Sequence, residues 1–439
     1  MIFHFEIFRR KILKWNKDNF LRHAAITLAG TKLSDFFNFL YRLAMARLLT
    51  VEDYGVFNAL ISFLAVAVQI FAPFQPAFTR FVAERMSLHD YEGARSLLRR
   101  AFAALAVFAA AIFLLFLLAA PALAGFLRLE RSGYAVMVGF LVALTVLAAV
   151  PGAFLQGAQR FTALSAIAAG SSLGKLLIGT ALVLGGVGIY GALGGFVAGS
   201  LIILIGAGLV AVVYFSRFPA VHPGAAPAPL APVFKYCVPT SAVLGSFWAL
   251  TTVDVFLVKR FFPPREAGFY SFAQMVGMII LFLPGAISIV VFPKATSAHA
   301  RKETGGPLLR KGLLLTGAIC GACTAACALF PETVLRVLAG RVEGPSVPLV
   351  GLFALAMSFY ALAGLNLLYH LAVRRTSVAV PVLALAAGEA AAIWFHHPSL
   401  VAVVRTVAVF AVMTFLASLA MLKLPNYPRA APPPADNSV

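Results

Sequence analysis

Seven ionisable side chains stand inside long apolar stretches of the chain: Lys32, Asp35, Arg42, Lys175, Asp254, Glu389 and Arg405. Each costs about 2.5–3.5 kcal/mol near the centre of a membrane-spanning helix, so most of them must face water, one another or a ligand. Lys32, Asp35 and Arg42 are spaced i, i+3 and i+10, which puts them within about 80° on one helix face. Two readings compete for this set. In one, Lys32 and Asp35 form an ion pair along the helix and the others clamp helices together. In the other, a water-filled cavity with net positive lining receives an anionic headgroup. Four bases against three acids leave charge to spare, and a diphosphate suits it, because Arg and Lys give charge-assisted hydrogen bonds to its oxygens. The second reading makes Lys32, Asp35, Arg42, Lys175 and Arg405 candidate substrate contacts. Asp254 and Glu389 become the candidates for binding a coupling cation. Near a span end, Arg405 and Asp254 could instead reach the interface.

Helices must position these groups, and their hydropathy points to a membrane. Of 439 residues, 61% are hydrophobic and 12% charged, against about 25% charged in soluble domains. The mean hydropathy is +0.93. Apolar runs predict spans near 24–46, 56–79, 101–127, 134–156, 161–185 and 188–215, then 236–259, 267–293, 312–330, 346–372, 378–396 and 399–422. The expected fold is an all-α polytopic membrane protein. It would have about twelve transmembrane helices in two six-helix lobes, at 24–215 and 236–424, related by a pseudo-two-fold axis along the membrane normal. A basic amphipathic segment at 1–23, a proline-rich linker at 216–235 and a tail at 425–439 complete the organisation. No cleavable leader is expected.

The formal charge of +19 would suggest nucleic acid in a soluble protein; here the bases crowd short loops. With the N-terminus inside, 23 of 35 Lys and Arg fall on the inner side, 8 outside and 4 within spans. Both termini are therefore expected in the cytoplasm, and nucleic acid is not an expected partner. The loops around Arg80–Arg100 and Lys294–Lys311 carry five bases each. The first either meets anionic lipid headgroups or serves only as the topology signal. Cys320, Cys323 and Cys327 share one helix face, but no further ligand is placed to complete a metal site, so packing is expected. No metal or cofactor is implied, and no phosphate-binding loop for ATP is present. His396 and His397 are expected at the outer interface.

A repeat links the halves. Arg47, Asp53, Gly55 and Phe57 precede Arg260, Glu266, Gly268 and Tyr270 by a constant 213 residues, at the junctions of spans one–two and seven–eight. The glycines are expected in equivalent tight turns, with the acids at the N-terminal ends of the following helices. A parallel duplication of six spans is a transporter architecture. Gly191-x-x-x-Gly195-x-x-x-Gly199 and Gly170-x-x-x-Gly174 mark closely packed faces of spans six and five.

The segments Leu43-Ala-Met-Ala-Arg47-Leu-Leu-Thr-Val-Glu-Asp-Tyr-Gly-Val-Phe57 and Pro76-Ala-Phe-Thr-Arg-Phe-Val-Ala-Glu84 resemble the polysaccharide-transporter branch of the multidrug/oligosaccharidyl-lipid/polysaccharide (MOP) exporter superfamily, the O-antigen flippases. Thr50 or Val51 stands where that pattern has proline. The resemblance covers about the first 100 residues and the echo at 254–294. It implies a non-enzymatic flippase that moves undecaprenyl-diphosphate-linked oligosaccharide from the cytoplasmic to the outer leaflet of the inner membrane. Membrane lipid and the polysaccharide polymerase machinery would be its further partners. A cation-coupled exporter of small molecules would share the fold. A membrane polymerase or ligase would need a large external loop, and the outer loops here reach only about 8 to 15 residues.

Overall fold

The computed structural model describes residues 19–218, 231–285, 287, 291, 295, 306–373 and 375–423. The basic segment before residue 19, most of the 216–235 linker, much of the Lys294–Lys311 loop and the tail lie outside them. Every element among the described residues is helical. The N-terminal half contains α1 (Asn19–Leu48), α2 (Val51–Gln69), α3 (Phe74–Ser87), α4 (Tyr91–Phe126), α5 (Gly133–Gly157), α6 (Phe161–Leu182) and α7 (Gly188–Phe215). The C-terminal half contains α8 (Ala231–Leu250), α9 (Val253–Phe261), α10 (Pro264–Phe282), α11 (Gly306–Leu329), α12 (Pro331–Ala339), α13 (Val347–Ala372), α14 (Ala379–Phe395) and α15 (Leu400–Lys423).

Local chemistry fixes several helix ends. Thr50 caps α2 by accepting the Asp53 amide at 3.1 Å, and Glu52 and Asp53 place negative charge in its first turn. Pro264 opens α10 at the position where a missing N–H costs nothing. Gly340, at φ 72°, ends α12 in the left-handed conformation that glycine adopts freely.

Among the described residues seven helices are long and apolar enough to cross a membrane, and the bent pair α8–α9 makes an eighth. One of the seven runs over 55 residues, 161–215, and folds back at Gly186 and Gly188 into the α6–α7 hairpin. α1 and α10 are too polar for that test, and α14, at 17 residues, is too short. Counting these gives twelve crossings among the described residues, in the order the hydropathy predicts. Span two differs from its expectation: it breaks at 70–73, where Pro73 ends the break and Pro76 follows in the next helix, because proline supplies no amide to the helical ladder.

α1 packs on α6, α6 on α7, and α5 on α4 and α7; in the other half α10 and α11 pack on α13, and α13 on α15. The two halves repeat in register. α2 spans 51–69 and α10 spans 264–282, both displaced by 213, and α1 and α9 end at 48 and 261. Between the halves, α2 lies against α8, α9 and α10.

The repeated glycines do something other than turn the chain. Gly55 and Gly268 are each the fifth residue of their helices, α2 and α10, and neither has a positive φ. They meet across the interface: a Cβ on Gly55 would lie 2.8 Å from the Gly268 nitrogen. Two helices can cross this closely only where neither has a side chain. Beside the crossing, Tyr54 stacks on Phe272 with centroids 4.8 Å apart. Arg341 donates to the carbonyls of Ala46 at 3.0 Å, Arg47 at 3.1 Å and Leu49 at 2.7 Å, and so caps the C-terminal end of α1 from the opposite half. Arg47 returns a hydrogen bond to the Val337 carbonyl at 2.6 Å. The end of the bundle expected to be external is therefore closed.

Candidate functional site

Close packing of α1, α6 and α7 through Gly174, Gly179, Gly195 and Gly199 builds a niche around Lys175. Its ammonium donates to Asn38 Oδ1, and Asn38 donates to Ser172 Oγ at 3.1 Å. The Ser172 and Ser34 hydroxyls are 2.6 Å apart. The charge also lies over the Phe196 ring at 4.3 Å and the Tyr41 ring at 5.2 Å. Dipoles and π-faces thus replace a counter-ion, since no carboxylate pairs with Lys175 among the described residues. Arg42 is near enough to repel it.

Arg42 reaches into the cleft between the halves, which Asn58 and Ser62 line from one side and Trp248, Thr252 and Gln274 from the other. Asn58 donates to Gln274 Oε1 at 2.7 Å, while the buried Gln274 Nε2 has no partner. The cleft holds about 20 Å³, room for one water. In this arrangement nothing as large as a sugar fits there.

The C-terminal half has a niche of opposite sign. Asp254 and Glu389 are both fully buried. Tyr270 donates to Asp254 at 2.6 Å and Tyr360 to Glu389 at 2.6 Å. Asp254 Oδ1 and Glu389 Oε1 have no partner, and the carboxylates are near enough to repel each other. Two unpaired carboxylates in an apolar core need a proton or a cation to offset their charge. Span seven breaks here: α8 and α9 meet at 43° across Thr251 and Thr252, whose hydroxyls bond back to the Trp248 carbonyl.

The niches occupy equivalent positions. Asp254 corresponds to Tyr41 at the 213-residue offset, Tyr270 to Phe57, and Glu389 to Lys175 one residue further on. One packing arrangement therefore holds a cation on aromatic rings in one half and a carboxylate pair on tyrosine hydroxyls in the other.

The remaining candidates are placed as follows. Lys32 and Asp35 form a 3.0 Å ion pair and are 50% and 56% exposed. Along α1 they lie about 15 Å and about 10 Å from Arg42. Arg405 is exposed on α15, and the structure does not bring it to Arg42 or Lys175. Lys259, expected at a span end, is buried in α9. The charge-based reading did not find Asn38, Gln274, Tyr270 and Tyr360. Their signal in the sequence is that of amides and hydroxyls within apolar runs, each needing a partner away from water.

The family described as polysaccharide biosynthesis protein matches residues 20–299. The chain belongs to that family. Its apolar helices make it a multi-pass membrane protein. No curated protein matches the sequence. Among solved structures, the chain is similar to an inward-facing multidrug resistance MATE family transporter of the MOP superfamily, at 13% identity and a TM-score of 0.70, covering 91% of this chain and 98% of that one. It is similar to the lipid II flippase MurJ in an inward closed conformation, at 14% identity and a TM-score of 0.66, covering 91% and 88%. A eukaryotic MATE transporter, AtDTX14, matches at 12% identity and a TM-score of 0.60, covering 91% and 97%. At these identities the likeness establishes the shared two-lobe fold.

Proposed function

We propose that this transporter flips undecaprenyl-diphosphate-linked oligosaccharide from the cytoplasmic to the outer leaflet of the inner membrane, for the synthesis of a surface polysaccharide such as O-antigen or exopolysaccharide. The observation that carries the reading is the pair of cations beside the cleft, Arg42 and Lys175, neither of which has a carboxylate partner among the described residues. A diphosphate supplies the missing negative charge. The Arg42 fork takes two of its oxygens, and Lys175 offers a point charge behind them. Lys32 and Asp35, nearer the cytoplasmic end of α1, meet the headgroup first. Arg405 has no part in this path.

In this arrangement both termini are cytoplasmic, residues 24–215 and 236–424 form the rocking lobes, and the 216–235 linker joins them on the cytoplasmic side. The closed end is external, and the product is delivered there to the polymerase machinery. Asp254 and Glu389 bind the coupling cation or proton. Occupancy of their niche biases the lobes toward one arrangement, because only a differential affinity for the two arrangements can shift them. The family assignment and the similarity to a lipid II flippase support a lipid-linked substrate.

The test is deletion of the chain in its host, followed by assay of lipid-linked sugar on the cytoplasmic face. The intermediate should accumulate. Wild-type protein should clear it, and Arg42→Ala should not, at similar abundance. Normal clearance by Arg42→Ala together with Lys175→Met would refute the assigned site. Drug sensitivity without accumulation would favour a small-molecule exporter instead.

A further inference from the structure

A groove runs down the flank of the N-terminal half between α4 and α7, with a volume of about 720 Å³. That lies within the range of ligand sites, about 300–1,000 Å³. Leu98 and Phe102 of α4 and Leu204 and Leu209 of α7 form its walls, and Pro151 of α5 its floor. Arg95 and Arg99 line one end. Among the described residues none of the C-terminal half lines it, and it shares no lining residue with the cleft.

The depth of the two arginines follows from the helix that carries them. α4 has 36 residues, about 54 Å of helix against a hydrocarbon core of about 30 Å. Arg100 is its last charged residue, and 26 uncharged residues follow to Phe126. Arg95 and Arg99 therefore stand at headgroup level while the groove descends into the acyl region. They are one helical turn apart. The ion pairs among the described residues are Lys32–Asp35 and Arg85–Asp90, so both guanidinium groups lack a counter-ion.

We propose that this groove is a binding site for an anionic phospholipid, held by its phosphate on Arg95 and Arg99 with an acyl chain along α4 and α7. A basic end above an apolar trough matches an amphiphile with one anionic head. The lipid is a resident of the transporter's flank and is not its cargo.

The test uses the full-length protein purified in zwitterionic detergent. It is titrated with phosphatidylglycerol or phosphatidylcholine, and bound lipid is counted by native mass spectrometry. Phosphatidylglycerol should bind in preference. Arg95→Gln with Arg99→Gln should weaken it roughly 30-fold, about fivefold for each base at an anionic headgroup. Gly208 lies in the groove, and a Cβ there meets nothing within 4 Å. Gly208→Phe should therefore fill the trough and exclude the lipid without loss of thermal stability. Equal binding of phosphatidylcholine, or phosphatidylglycerol binding unchanged in both variants, would overturn the proposal. So would undecaprenyl phosphate displacing phosphatidylglycerol at lower concentration, which would make the groove a seat for the substrate's tail.

Discussion

Alanine at Gly268 should open the closed end of the bundle while leaving each half folded. Its Cβ would stand 2.7 Å from the Val51 carbonyl carbon and closer still to the carbonyl oxygen. Both are backbone atoms of the opposite half and cannot swing aside as a side chain would. At Gly55 the nearest atoms are the Gly268 nitrogen at 2.8 Å and the Ala267 carbon at 3.1 Å, so the clash there is milder. Relieving such overpacking costs about 1–3 kcal/mol. The gain of about 1 kcal/mol in helix propensity on replacing glycine does not offset it, because α10 is helical whether this end is open or closed. The whole steric cost falls on the closed arrangement, which should shift the equilibrium roughly 5–150-fold toward the open one. Ser62 lines the cleft and is 6% exposed, so Ser62→Cys, in a background without the native cysteines, reports the opening. An impermeant thiol reagent should label it faster by that factor with Gly268→Ala, and by less with Gly55→Ala. Gly245→Ala, where a Cβ meets nothing within 4 Å, should change nothing. Unchanged labelling with both glycine variants, at normal abundance, would mean that these helices do not cross here in the working protein.

Arg341→Ala leaves three carbonyls at the end of α1 without their charged donor. It should raise Ser62→Cys labelling by about tenfold or more at 1.5–3 kcal/mol per hydrogen bond to a charged group, and Arg341→Lys should recover part of the closure. Glu389→Gln with Asp254→Asn should keep the tyrosine hydrogen bonds and the fold but remove the dependence of transport in proteoliposomes on a proton or sodium gradient; an unchanged dependence would exclude the niche as the coupling site. At the start of α4, Asp90 caps the helix at Gly93 and bonds Arg85 at 2.5 Å. Arg85 holds its carboxyl below the ordinary range, so its contribution to stability is present at neutral pH and lost as pH falls through the depressed value. The difference in melting temperature between wild type and Asp90→Asn should be present near pH 7 and close on acidification below about 4.

Hydropathy located the twelve crossings because twenty apolar residues report the thickness of the bilayer. It could not show that span seven bends at Thr251 and Thr252, since two hydroxyl residues in an apolar run leave its hydropathy almost unchanged. The repeat was legible from four matched residues, yet the role of its glycines was not. Gly55 and Gly268 are needed for each other, and a contact across the interface leaves no mark on local sequence. Charge pointed to Arg42, Lys175, Asp254 and Glu389 through their cost in lipid, but the same signal included Arg405. Insertion cost registers a charge without saying which way its helix turns. Asn38 and Tyr270 became visible as partners only once α1 met α6 and α9 met α10.

The two niches also have a consequence for how cargo would lie. On the proposed assignment, the wall of the cleft built by α1 and α6 attracts anions, and the wall built by α9 and α14 attracts cations. The field between them runs parallel to the membrane, from one half to the other. A molecule with a negative head and a neutral sugar would be turned sideways on arrival, head toward Lys175, before either end of the bundle moved. The duplicated fold would then act as an aligner as well as a gate, and the orientation of the cargo would be set by which half kept the lysine.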